Sequence, residues 1–395
     1  MNFPARIPIP EEVLEIARRL EEAGHSAWCV GGALRDTLLG DPQSDFDLAT
    51  SATPDQVQGL FPRTIAVGIK YGTVGVLDRR GALHEVTTFR RDVATDGRHA
   101  EVAYGVSLDE DLARRDFTIN AIAYHPLRSE WRDPFEGAED LTRRRIRAVG
   151  DAASRFREDY LRILRALRFA ARFEFAIDPV TWTAACEAVD GLQALSAERV
   201  RDEWFKGLRS ARSLRRLVSL WQEAGASRVW IPELRPLDSP ASAAPDGPAQ
   251  REPVVLTVLL CTDAVAVLQR LRASNAEVAR AEAMISGPAE PDATTEVAVR
   301  RWLAAVGPAA ADLELLWQLR HGRDCPWAKL AEQVKERGDP LSRGDLAITG
   351  LDLIEAGVPP GPALGRVLER LLALVVDDPS LNTRDALLAR AKEPV

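Results

Sequence analysis

Gly31-Gly32-Ala33-Leu34-Arg35-Asp36, followed nine residues later by Asp45-Phe46-Asp47, is the stretch from which this 395-residue sequence is best read. Just ahead of it, residues 26–30 have the pattern of a short buried strand. Gly31-Gly32 breaks that strand, and residues 33–39 read as a helix closed by Gly40. A strand, a glycine turn and a helix N-terminus present backbone N–H groups and a positive dipole end to an anion, and Arg35 adds a charge-assisted donor. Such a cradle suits a triphosphate. Residues 45–50 alternate polar and apolar, so Asp45 and Asp47, two apart on a strand, point to one face. Two carboxylates so placed, completed by substrate phosphates, suit Mg²⁺. Each part alone has an ordinary alternative: a plain turn for the glycines, a solvated strand face for the aspartates. At this spacing they support one another, because nucleotidyl transfer requires a phosphate cradle and a metal site together.

Outward from this stretch, residues 11–23 carry apolar or small side chains at Val13, Leu14, Ile16, Ala17 and Leu20, a helical period, with Gly24 placed to end the helix. Thr53-Pro54 has the chemistry of a helix start. Residues 64–67, 73–77 and 83–89 are short β-branched runs, the last two joined by a turn at 78–81. The fold class is therefore α+β, with a small mixed sheet and flanking helices at the N-terminal end. Residues 91–101 show no clear period and read as a mobile loop. Ser107 with Glu110 has the spacing of a capping box, and nearly everything beyond reads as helical. The Pro/Ala/Ser-rich stretch 235–253 reads as a linker. The expected division is a catalytic head at 1–145, a helical neck at 146–235 and a helical body and tail at 236–395.

Composition narrows the partners. The longest apolar run, residues 253–268, is interrupted by Thr257, Thr262 and Asp263 and is too short to span a bilayer. The N-terminal residues lack a signal-peptide core, so the expected location is cytoplasmic, with no membrane. Four widely spaced cysteines argue against a disulfide framework and a thiolate metal site. The net charge of −8 is unusual for a protein that handles nucleic acid, but residues 140–172 hold ten arginines against four acidic residues. That segment can bind phosphate whatever the total.

The segment Glu158-Asp-Tyr-Leu-Arg-Ile-Leu-Arg-Ala-Leu-Arg-Phe169 reads as one helix. Ile163, Leu164, Leu167 and Ala170 form its apolar stripe, while Asp159, Arg162, Arg165 and Arg168 step around the remaining surface. A carboxylate beside an arginine fan can present donors and an acceptor to a nucleobase edge. The same spacing also gives an ordinary salt-bridged, solvated helix.

With Arg114-Arg-Asp-Phe-Thr-Ile-Asn-Ala121, Asp133-Pro-Phe135 with Gly137 and Asp140-Leu141, and Ser196-Ala-Glu-Arg199, these segments appear in an order that resembles the class II tRNA nucleotidyltransferases and bacterial poly(A) polymerases, over roughly residues 25–210. The resemblance implies a nucleotidyltransferase head followed by all-α neck, body and tail units, acting on tRNA with CTP and ATP, with Mg²⁺ as cofactor. It implies that Asp45 and Asp47 hold the metal, that Glu85, out of phase with core-facing Val86, is the third carboxylate, and that Arg115 contacts the nucleotide. An exposed strand glutamate and a buried structural arginine are the alternatives for the last two. Asp116 and Asn120 are expected to hold their turn together. By the same resemblance, Asp159 and Arg162 read the incoming base beside Arg165 and Arg168, and Gly31, Gly32 and Arg35 receive the triphosphate.

Three activities share such a catalytic half: complete CCA addition, CC or A addition alone, and polyadenylation. Residues 91–101 resemble, in compact form, the flexible loop by which complete enzymes switch from C to A. Val67-Gly-Ile-Lys-Tyr-Gly72 departs from the basic sequence usual in the poly(A) branch. No histidine is followed by aspartate, so an HD-type phosphohydrolase is not expected. Arg199, Arg201, Lys206, Arg209, Arg212, Arg215 and Arg216 are expected to contact duplex RNA by its phosphates. No protein partner is evident. A small-molecule nucleotidyltransferase would share the glycine turn and paired aspartates but not the arginine helix; a non-catalytic RNA-binding relative would not need the two aspartates.

Overall fold

A computed structural model describes residues 3–41, 45–95, 100–236 and 251–392, with only the backbone at 92–95 and 100–102. They form two compact units, residues 1–232 and 233–395. In the first, α1 (Glu11–Glu22), β1 (Ala27–Val30), α2 (Gly32–Leu38), β2 (Asp47–Thr50) and α3 (Pro54–Leu60) precede β3 (Thr64–Gly68), β4 (Thr73–Leu77) and β5 (Leu83–Thr88). Then come β6 (Arg90–Thr95), β7 (Ala100–Tyr104), α4 (Leu108–Ala113), β8 (Ala123–His125) and β9 (Glu130–Arg132). Helices follow: α5 (Gly137–Thr142), α6 (Ala152–Glu158), α7 (Leu161–Phe173), α8 (Pro179–Glu187) and α9 (Ala197–Ser210).

The main sheet has seven strands in the order β3-β4-β5-β2-β1-β8-β9, mixed because β2 and β5 run parallel. Alternation along the strands sends side chains to two faces. Cys29, Leu48, Val74, Val76 and Val86 meet Val13, Ile16 and Leu20 of α1, Leu34 of α2 and Val57 of α3 on one face. Full burial of each Leu or Val stabilises the unit by about 1.5–3 kcal/mol. Val30 and Ala49 point the other way, toward Leu112, Phe89, Ala121 and Val149. Asp47 and Glu85 share this second face, since each precedes a core-facing residue of the parallel pair Leu48 and Val86.

The caps behave as their sequences require. Thr53 and Ser107 each accept from the backbone N–H three residues on, and Gln56 and Glu110 close both capping boxes.

Three expectations are corrected. Residues 91–101 are not simply a loop, because β6 and β7 pair antiparallel as a separate ribbon, with 96–99 outside the described residues. Backbone pairing, invisible to composition, decides this. The chain after Ser107 is not wholly helical, since β8 and β9 extend the main sheet beside β1. The segment 158–169 is not one helix: α6 ends at Glu158, Asp159 is extended at φ −153° and ψ 103°, and α7 starts at Leu161. Asp159 instead accepts the Leu161 N–H, so its carboxylate competes with helix continuation. The apolar stripe of α7 is buried as read, with Ile163, Leu164, Leu167 and Ala170 at most 1% exposed. Most of the proline-rich stretch 235–253 lies outside the described residues.

The second unit is helical. Its helix Pro253–Leu260, the apolar run noted above, is buried nearly throughout. Leu353, Leu371, Val375 and Leu387 form a separate core toward the C-terminal end. Among the described residues no helix is long and apolar enough to cross a membrane.

Candidate nucleotide-binding and catalytic site

A cavity of about 460 Å³ opens where β1 turns into α2. Gly31, Gly32, Arg35, Asp47, Arg115, Arg165 and Arg168 all line it, so much of the expected site converges. Asp116, Asn120, Phe169, Arg172 and Lys206 line it too. Six of the twelve residues are cationic, so the cavity draws a polyanion. Gly31 takes φ +84°, and a Cβ there would lie 3.5 Å from Nη1 of Arg115 and 3.6 Å from Oδ2 of Asp47. A side chain at Gly31 would thus be strained and would enter the cavity.

The arginines are held by an internal chain of ion pairs. Arg35, 3% exposed, sits on Asp36 at 2.8 Å, donates to Asn120, and lies 5.0 and 4.8 Å from the ring centroids of Phe169 and Phe173. It forms part of the wall through a buried, spoken-for guanidinium. Arg172 reaches the other oxygen of Asp36 at 2.9 Å. Arg165 pairs with Asp116 at 2.7 Å, and Arg168 with buried Glu203 at 2.6 Å. Burial by itself would raise the Asp116 carboxyl, but Arg165, the Asn120 amide and the Phe117 N–H overrule it and bring the pKa down to about 2. Asp116 and Asn120 bond to each other as well, holding the turn as expected.

The sheet side is different. Asp47 opens β2 and Asp45 precedes the strand; both keep some surface open to solvent, while the carboxyl of Asp47 sits in the cavity wall. Burial of the Asp47 carboxyl, then the charges of Glu85 and Asp45, push its pKa up to about 6 against the opposing pull of Arg115. Crowded carboxylates of this kind are relieved by a cation, and their oxygens are the donors Mg²⁺ takes. Among the described residues no group of three acidic, histidine or cysteine side chains is assembled to hold a metal by itself. Arg115 reaches Asp111 at 3.3 Å and the Asn120 carbonyl at 3.5 Å, while its Nε is buried without a partner.

Asp159 and Arg162 do not line the cavity. Asp159 meets Arg199 at 2.7 Å, and Arg162 spans Glu158 at 2.7 Å and the carbonyl of Arg114 at 3.0 Å, one residue from Arg115. Lys206, which the sequence reading gave to duplex RNA, lies on the cavity wall beside Glu203. Glu203, Asp36 and Arg172 were not singled out. The one available signal was Glu203 itself, a charge on the face of α9 that also carries Val200 and Trp204.

Glycine turn, strand carboxylates and basic cavity together define a nucleotidyltransferase head. The family model of the poly A polymerase head domain matches residues 27–147, that of the RNA and SrmB-binding site of polymerase A matches 174–237, and that of tRNA nucleotidyltransferase domain 2 matches 253–391. The CCA-adding enzymes of Leuconostoc mesenteroides and Geobacillus stearothermophilus are each 35% identical over 399 residues, covering 98% and 96% of this chain and the same shares of their own. The crystal structure of the Bacillus stearothermophilus CCA-adding enzyme in complex with CTP superposes with a TM-score of 0.81 at 33% identity, over 96% of each chain. The chain belongs to the CCA-adding enzyme family of tRNA nucleotidyltransferases.

Proposed function

We propose that this protein adds C and A to the 3′ end of tRNA, building and repairing CCA from CTP and ATP. The observation that carries this reading is the cationic cavity set directly against the strand carboxylates Asp47 and Glu85. Arg115, Arg165, Arg168, Arg172 and Lys206 would receive the triphosphate, with Gly31 and Gly32 letting it approach the backbone. Asp45 and Asp47 would hold Mg²⁺, with Glu85 beside them. The bound ion would favour the ionised attacking oxygen and offset charge on the leaving one. The RNA 3′-oxygen bonds to the α-phosphorus as the bond to pyrophosphate breaks, and the hydroxyl proton passes to solvent. Asp159 and Arg162 would exchange their partners Arg199 and Glu158 for the base edge. A carboxylate accepts from the exocyclic amine common to cytosine and adenine, and a guanidinium donates to cytosine's acceptors.

The functional division would be head 1–145, neck 146–235 and tRNA-holding body and tail 236–395, in a cytoplasmic protein. The test is extension of labelled tRNA transcripts ending before CCA, after C and after CC, with CTP, ATP or both. Completion of all three is expected. Growth only on the CC-ended RNA, or only up to it, would reassign the chain to A or CC addition, and a long A ladder would make it a poly(A) polymerase.

A further inference from the structure

The catalytic face of the sheet continues past Glu85, away from the cavity, over β5, β4 and β3. Strand register aligns Glu85 with Gly75 and Gly75 with Ile65. Gly75 has no side chain, and the space of its missing Cβ is closed by Leu83, Cδ1 2.5 Å away, and Val67, Cγ2 2.7 Å away. Ile65, Val67 and Leu83 therefore form one apolar strip that ends on a catalytic carboxylate, and each is more than 40% exposed. Tyr71 is likewise exposed at the far end of β3, beside exposed Lys70. An exposed apolar edge strand invites aggregation, so a strip of this kind usually has an occupant.

Geometry says which occupant. In phosphoryl transfer the attacking and leaving oxygens lie roughly in line. The arginines gather the leaving phosphates on the β1 and α7 side of Asp47, so the attacking hydroxyl must come from the β5 side, across this strip. We propose that the strip seats the unpaired 3′-terminal nucleotides of the acceptor RNA, their bases against Ile65, Val67, Leu83 and Tyr71, with Lys70 near the backbone phosphate. The proposal rests on the reading that this chain extends RNA. An apolar platform suits that task, because every base has a stacking face and the terminal base changes with each addition. A hydrogen-bonding pocket would be matched to one terminus and mismatched to the next.

The test uses the full-length protein, the variants Ile65→Thr/Val67→Thr and Tyr71→Ala, and an acceptor carrying 2-aminopurine as its 3′-terminal base. Threonine keeps β-branching on the edge strand, and Tyr71 lies outside the sheet, so one of the two variants should fold; retained CTP binding verifies it. The expected result is a roughly tenfold rise in KM for the acceptor with KM for CTP little changed, together with loss of the fluorescence quenching that stacking gives the wild type. Unchanged acceptor KM and quenching would overturn the proposal, as would a change of oligomeric state without either effect, which would assign the strip to a second copy of the chain. Failure of the unaltered protein to extend any RNA would overturn the functional reading instead.

Discussion

On the α7 side of the cavity the guanidiniums of Arg35, Arg165, Arg168 and Arg172 each meet a carboxylate from inside the protein, whereas on the sheet side the charges of Glu85 and Asp45 bear on Asp47 with Arg115 as the opposing cation. The first wall has met its desolvation cost through Asp36, Asp116 and Glu203 and is complete without a ligand. On the second, loss of solvent around the Asp47 carboxyl, and then the charges of Glu85 and Asp45, push its pKa up to about 6. A wall that positions phosphates gains from rigidity; a wall that receives a cation gains from a deficit of positive charge. Substitutions on the sheet side should therefore cost activity with little loss of stability, whereas those on the arginine side should cost stability as well as activity.

The largest effect is expected at Asp47. Asp47→Ala should reduce nucleotide incorporation by on the order of a thousandfold or more while leaving RNA binding by gel shift intact; retained activity would remove the proposed metal site. Next comes Glu203→Ala, which strands Arg168 in a buried setting and should lower stability by about 3–5 kcal/mol in urea denaturation. The double variant Glu203→Ala/Arg168→Met should recover part of that loss, and an equal or larger loss would show that the pair is not the source.

A smaller effect is pH-dependent. Asp116 has a depressed folded pKa, so its contribution is fully present above the ordinary carboxylate value of 3.8 and is lost as pH falls from about 4 toward 2. Across that window the wild type should lose about 2 kcal/mol more than Asp116→Asn, and parallel stability curves would contradict the Asp116–Arg165 coupling. The smallest is Phe169→Leu. Its ring lies 4.2 Å from the Arg168 guanidinium and 5.0–5.4 Å from those of Arg35 and Arg165, and the change should cost about 1 kcal/mol by thermal unfolding. No change there would mean that the ion pairs alone order the wall.

The same contrast separates what could be read early from what could not. The pairing of β5 with β2 brings Glu85 to the side of Asp47, whereas strand phase set it opposite core-facing Val86, because a period of two needs only neighbours in sequence. The capping boxes at Thr53 and Ser107 were legible for the same reason. The ribbon of β6 and β7 was not, since residues 91–101 have no clear period and antiparallel backbone pairing leaves no mark in the sequence. The break at Asp159 was missed because the arginine spacing on both sides is helical, and only the competing carboxylate interrupts it. The enclosure of Arg35 was not legible either, because a glycine turn followed by arginine does not reveal that Phe169, Phe173 and Asn120, far along the chain, will surround it.

By itself the sequence determined the glycine turn, the strand carboxylates, the apolar stripe of α7 and the order of motifs that marks the family, all set by short-range periodicity and local chemistry. Tertiary structure alone decided which acid neutralises which arginine, that Lys206 belongs to the cavity, and that Asp159 and Arg162 stand beside it. Those pairings join residues as far apart as Arg172 and Asp36, 136 positions along the chain. An ion pair carries no sequence periodicity, and its partner is chosen only when packing brings two buried charges together.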